Sequence, residues 1–249
     1  MGRTTGITWT NATWNPWQGC HKASAGCANC YMYREKKQYG QDPSAVVRSK
    51  SQTFNAPPRW ARKEELPLGA RIFVCSWSDF FIKEADPWRD EAWEIIGSTP
   101  QFNYLLLTKR PERIVLPWEQ NGTDPWANVW LGVTAENQEM ANLRIPQLLK
   151  HDAYIRWVSI EPMLGPVNLI DAGVSQGGAN FVDWVIYGAE SLANHSPGRP
   201  CNLAWIEGGL LQCKLLGVAA FVKQIEVNGK LSTDPAAWPE ILRVQQFPV

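Results

Sequence analysis

Six short apolar runs recur along the chain, each ending in small or polar residues. Arg71-Ile72-Phe73-Val74-Cys75 ends in Ser76-Trp77-Ser78-Asp79, and Tyr104-Leu105-Leu106-Leu107 ends in Thr108-Lys109-Arg110. Val129-Trp130-Leu131-Gly132-Val133 ends in Thr134-Ala135-Glu136-Asn137, and Ile155 to Ile160 ends in Glu161-Pro162-Met163. Trp184 to Tyr187 ends in Gly188-Ala189-Glu190-Ser191, and Val218 to Val222 ends in Lys223-Gln224. Helical patterns follow or separate several of them, at Pro87–Gly97, Pro111–Arg113, Gln138–Leu149 and Leu203–Leu216. The β-branched and aromatic segment Gly6–Gly19 adds a further strand near Thr13–Gln18. Continuous apolar strands alternating with helices define an α/β chain with a parallel sheet covered by helices. Seven strands exceed a small open sheet and fall short of a full barrel. The expected fold is therefore a partial or irregular (β/α) barrel of about six to seven parallel strands, with an open doubly wound sheet as the alternative.

In such folds chemistry sits at the C-terminal ends of the strands. Ser76, Ser78, Asp79, Thr108, Lys109, Arg110, Glu136, Asn137, Ser159, Glu161, Glu190, Ser191, Lys223 and Gln224 all fall there. Any one of them is explained as a helix cap or surface charge. Polar residues at the same end of every strand point to a shared site.

Cys20, Cys27 and Cys30 lie at that end too, after the first strand, spaced C-x6-C-x2-C. The two-residue spacer lets Cys27 and Cys30 face one point from a tight turn, and a Gly- and Ala-containing loop carries Cys20 toward it. Closely spaced thiolates bind a soft metal or an iron–sulfur cluster. A closed structural zinc site needs four ligands, whereas three leave a position open for chemistry. A zinc knuckle completed by His21 or a distant residue, or three unligated thiols, are the other readings. Cys75 and Cys213 sit in apolar runs and read as core residues, while Cys201 lies in a Pro-rich loop.

Residues Gln41–Gly69 carry Pro43, Pro57, Pro58 and Pro67 without a clear period, an excursion too long and irregular for a plain connection. From Arg34 to Lys63 eight basic residues face two acidic ones, a net +6, with Tyr39, Phe54 and Trp60 interleaved. That pattern suits phosphate contact with base stacking, or a solvated face with packing aromatics. Over the whole chain Lys+Arg and Asp+Glu both number 24, so no global field directs it to nucleic acid or membrane. Met1–Thr10 has no apolar signal core, and no run of about 18 apolar residues occurs anywhere. The expectation is a single cytoplasmic domain over residues 1–249, with a basic insertion at about 41–69 and a C-terminal tail at about 227–249 packed over the barrel. Most of the 14 Trp residues are expected in the core.

A three-cysteine loop after the first strand of such a fold resembles the radical S-adenosylmethionine superfamily, whose usual spacing is C-x3-C-x2-C. Trp9 to Pro16, Cys30-Tyr31, Val74 to Asp79, Leu107 to Pro111, Trp130 to Val133, Ser159 to Pro162 and Phe221 to Gln224 are similar to a phage-associated family of unknown function within that class. The resemblance implies a [4Fe–4S] cluster on Cys20, Cys27 and Cys30, with S-adenosylmethionine chelating the fourth iron. It also implies reductive release of a 5′-deoxyadenosyl radical that abstracts a substrate hydrogen, and an external flavodoxin- or ferredoxin-like one-electron donor. Ser76, Ser78, Asp79, Thr108, Lys109, Arg110, Glu136 and Asn137 are the implied cofactor-binding residues. Ser76–Asp79 stand where the superfamily often has Gly-Gly-Glu, and Arg110 has the better geometry for a carboxylate. Glu161, Glu190 and Lys223 are the implied catalytic groups. The substrate this points to is DNA or a modified nucleotide in a phage-infected bacterial cytoplasm, with isomerisation or rearrangement of a modified base as the reaction. The competing readings are a zinc-stabilised nucleic-acid-binding or adaptor protein without catalysis, its fourth ligand His21, His151 or Cys201, and a degenerate barrel that binds S-adenosylmethionine without cleaving it.

Overall fold

A computed structural model of the chain describes residues 5–192 and 196–248. The first four residues of the Met1–Thr10 segment and the last residue of the 227–249 tail lie outside them. The strands are β1 Ala12–Trp14, β2 Trp17–Gln18, β3 Val47–Arg48, β4 Arg71–Val74, β5 Asn103–Thr108, β6 Val129–Thr134, β7 Ile155–Ile160, β8 Trp184–Gly188, β9 Ala219–Val227 and β10 Lys230–Ser232. The helices are α1 Tyr31–Gln38, α2 Ser51–Phe54, α3 Ala56–Arg62, α4 Asp86–Ser98, α5 Pro117–Asn121, α6 Gln138–Leu148 and α7 Leu203–Leu216. Eight strands form a mostly parallel sheet in the order β1-β4-β5-β6-β7-β8-β9-β10, and β2 pairs with β3 in a separate ribbon. No helix among the described residues is long and apolar enough to cross a membrane.

By its contacts the chain divides into two compact units. The first comprises residues 1–22, 32–131 and 152–154, and the second 23–31, 132–151 and 155–249. In the first unit, β4 lies parallel to both β1 and β5. The expected strand at Thr13–Gln18 is two pieces. Trp14 ends one, and Trp17-Gln18 turns away to pair antiparallel with β3. The irregular 41–69 excursion holds β3, α2 and α3. Pro57 and Pro58 occupy the first turn of α3, where no N–H is required. Trp14, Phe54 and Tyr104 pack edge-to-face, and Trp17 and Phe80 lie 5.2 Å apart, all buried. Each such ring removed from water stabilises the fold by about 1.5–3 kcal/mol.

In the second unit, β8 lies parallel to β7 and β9, and β10 folds back antiparallel on β9. α7 starts at Asn202, whose side chain accepts from Ala204 N, and stops at Gly217 in the left-handed conformation. The tail packs along β9: Val222 N donates to Val244 O, Gln246 N donates to Ala220 O, and Phe247 stacks with Trp184 and Phe221. Most of the Trp residues are buried, as are Cys75 and Cys213.

Candidate functional site

Each unit gathers its own share of the candidate residues around part of the cysteine stretch. In the first unit the centre is Asp79, 4 % exposed. Its Oδ1 accepts from Thr108 Oγ1 at 2.7 Å and from Phe81 N at 3.0 Å. Its Oδ2 accepts from Lys109 N and from Arg110, both at 3.0 Å. The Arg110 guanidinium also donates to His21 O at 2.6 Å and reaches Cys20 Sγ at 3.7 Å. Burial works against the Arg110 charge, but Asp79 and Cys20 outweigh it and raise its pKa. Strand ends β4 and β5 thus hold the backbone on which Cys20 sits.

Further bonds fix that segment. Ser78 Oγ donates to Gly19 O at 2.6 Å, Gly19 N to Trp77 O at 3.0 Å, and the Tyr33 hydroxyl to Cys20 O. Gly19 has φ +95°, and a Cβ there would collide with the carbonyl oxygen of Ala45, so the residue leading into Cys20 must be glycine. Ser76 Oγ bonds to Asn15, which also accepts from Trp77 N. His21 Nε2 lies 2.9 Å from Glu84.

The second unit holds Cys27 and Cys30. Gly26 N donates to Glu136 Oε1 at 3.1 Å, and Asn29 Nδ2 to Glu190 Oε2 at 3.0 Å. Arg199 clasps both oxygens of Glu190 and extends to Ala25 O at 3.0 Å. Burial disfavours the Glu190 carboxylate, but Arg199 and Asn29 prevail and bring its pKa to about 2. Glu136 is fully buried and pairs with Arg144 at 2.8 Å. Asn137 caps α6, accepting from Met140 N at 2.9 Å. Glu161 pairs with Lys223 and accepts from Gln224 Nε2 at 3.3 Å. Gly188 and Gly198 give Glu161 and Glu190 room, since a Cβ at either would press on the carboxylate side chain.

The candidate set therefore sorts by role. Ser76, Ser78, Asp79, Thr108 and Arg110 support the Cys20 side of the loop, and Lys109 joins through its backbone. Glu136 and Glu190 support the Cys27 side. Glu161 and Lys223 form a half-buried ion pair. Asn15, Asn29, Arg144 and Arg199 were missed. Arg144 lies inside a helix pattern and Arg199 in a Pro-Gly-Arg-Pro loop, and neither shows at a strand end. The interleaved aromatics of the basic stretch divide as well: Phe54 and Trp60 are core, and only Tyr39 stands out, 72 % exposed.

All six cysteines are thiols rather than disulfides, and Cys20, Cys27 and Cys30 are half-buried. Burial raises the pKa of Cys201 and of Cys213 to about 11, as inert thiols require. Among the described residues no group of three or more His, Cys, Asp or Glu side chains is gathered to hold a metal ion. The donor chemistry nevertheless fits an iron–sulfur cluster. The three accessible sulfurs sit on one short loop. The Cys27 sulfur takes an N–H from Ala23 at 3.5 Å, and Cys20 faces Arg110, the kinds of donor that stabilise sulfur ligands.

The fold defines an α/β protein with a mostly parallel sheet, and in each unit polar strand-end residues bond to that unit's part of the Cys20–Cys30 stretch. Residues 4–236 match the model of the family described as "Protein of unknown function (DUF5131)", and the chain belongs to that family. No match was found among curated proteins or among solved structures.

Proposed function

We propose that this chain is a radical S-adenosylmethionine enzyme built on a partial (β/α) barrel, in which Cys20, Cys27 and Cys30 hold a [4Fe–4S] cluster. The observation that carries the reading is the bracing of the cysteine loop. In the first unit Ser78 and Arg110 bond to the backbone carbonyls of Gly19 and His21, in the second Glu136 accepts from Gly26 N and Glu190 from the Asn29 side chain, and Cys20, Cys27 and Cys30 are half-buried thiols. Structural effort of that kind suits a loop whose sulfurs do chemistry. When bound, the cluster and S-adenosylmethionine supply one-electron cleavage of a sulfonium C–S bond, with the electron coming from a flavodoxin- or ferredoxin-like donor.

The chain's own residues orient and enclose. Arg110 carries positive charge to the Cys20 sulfur. Asp79 holds Arg110 in place. Glu190 stays ionised at any physiological pH, so it anchors the Cys27 side by charge and does not shuttle protons. The proton-handling pair is Glu161 and Lys223, where Nζ donates to Oε1 and either atom can exchange a proton with a substrate hydroxyl or amine. The substrate is a base in nucleic acid or a modified nucleotide, and the reaction an isomerisation or rearrangement in the cytoplasm of a phage-infected cell. The basic stretch Arg34–Lys63 supports that substrate class.

The test is metal content after anaerobic reconstitution. Wild-type protein takes up iron and sulfide in equal amounts, and Cys20→Ala, Cys27→Ala and Cys30→Ala each lose most of both while remaining folded. One zinc per chain without iron overturns the reading in favour of a structural zinc protein.

A further inference from the structure

A cavity of about 570 Å³ opens in the first unit, lined by residues of the β2/β3 ribbon, of α1 and of the start of α2. Its unusual member is Lys36. This lysine is 3 % exposed as a residue and lines the cavity. Burial lowers the Lys36 pKa, and the Asp42 carboxylate offsets part of that. Asp42 itself accepts from Ser44 N and Ser44 Oγ at 2.9 and 2.6 Å.

Two further cations line the same cavity, Arg48 and Lys50, with Asp42 as the one acid. Arg48 is fixed in place. Its guanidinium lies 3.8 Å from the Phe54 ring centroid and donates to both oxygens of Glu91 at 2.6 Å. The lining adds the amides of Gln18 and Gln41, and no aromatic ring. Ala45 and Val47 add an apolar part to the lining, so the cavity offers charge, hydrogen bonds and aliphatic surface but no aromatic ring on which a base could stack. That chemistry reads a phosphate and its sugar, not a base.

We propose that this cavity is a phosphate-binding site that seats a phosphate ester of a nucleotide or of a nucleic-acid strand, with Lys36 as its inner cation and Arg48 and Lys50 beside it. The volume matches a nucleotide-sized ligand better than a lone inorganic ion. The site stands whether or not the chain carries a cluster, because it is built entirely outside the Cys20–Cys30 loop.

The experiment is equilibrium binding by calorimetry on the full chain as purified, without reconstitution. The probes are thymidine, thymidine 5′-monophosphate and a single-stranded oligothymidylate, each with wild type, Lys36→Met and Lys36→Arg. Lys36→Met keeps the volume and removes the charge, so it folds, and its melting temperature without ligand is at or above that of wild type. A phosphate-bearing probe binds wild type, thymidine does not, Lys36→Met weakens binding about tenfold or more, and Lys36→Arg restores part of it. Binding of the monophosphate assigns the site to free nucleotides, and binding of the oligothymidylate alone assigns it to a strand backbone. The proposal is overturned if neither phosphate-bearing probe binds, or if Lys36→Met binds them as tightly as wild type. Because no cluster is involved, failure here leaves the radical reading untouched, and success does not depend on it.

Discussion

The guanidinium of Arg110 shares one nitrogen between the carboxylate of Asp79, at 3.0 Å, and the sulfur of Cys20, at 3.7 Å. A buried ion pair is thereby coupled to one of the three thiols. Asp79 keeps three other donors if Arg110 is lost, so the remaining charge is only partly uncompensated. Arg110→Ala is expected to cost about 2–4 kcal/mol, measured by denaturant unfolding. Amide hydrogen exchange at residues 19–22 should rise in the same variant. Arg110→Lys should recover part of the stability and little of the protection, because an ammonium lacks the planar fork that reaches Asp79, His21 O and Cys20 together.

Glu136 and Arg144 are a fully buried pair beneath the Cys27 side of the loop. Removing one partner strands a charge in the interior. Glu136→Gln and Arg144→Met should each destabilise by about 3–5 kcal/mol, and the double variant by much less than the sum. A double variant no better than additive would mean that the two residues act separately.

Glu190 gives a pH signature. Its folded pKa of about 2 lies below the ordinary value of 4.5, so its contribution is fully present above about pH 4.5 and is lost as pH falls toward 2. Wild type should therefore lose melting temperature across that window more steeply than Glu190→Gln. Equal slopes would detach Glu190 from the acid-side stability.

The parallel strands were legible because buried β-runs such as Tyr104–Leu107 and Trp184–Tyr187 are apolar throughout and end abruptly in polar residues. Leu203–Leu216 was legible as a helical pattern between the Trp184–Tyr187 and Val218–Val222 apolar runs. The β2/β3 ribbon was not, because a strand of two residues has no period to read. Nor was α3, since Pro57-Pro58 reads as a breaker unless it falls in a first turn. At the site, polar strand ends marked where the candidates lie but not what each one holds. Asp79 and Arg110 neutralise each other, and Glu136 is spent on Gly26 and Arg144. The partners Arg144 and Arg199 come from a helix interior and a loop, and no local pattern announces them. Lys36 was counted in the basic stretch Arg34–Lys63, and only the packing around α1 shows that it is 3 % exposed.

The central claim is that the braced thiols of Cys20, Cys27 and Cys30 serve reductive cleavage of S-adenosylmethionine. The most direct measurement is formation of 5′-deoxyadenosine by anaerobically reconstituted protein given S-adenosylmethionine and dithionite. Dithionite-dependent product from a protein holding about four irons per chain, abolished in each single Cys→Ala variant, is the expected result. Reconstituted, iron-loaded protein that forms no 5′-deoxyadenosine, or Cys→Ala variants that form it as well as wild type, would contradict the account.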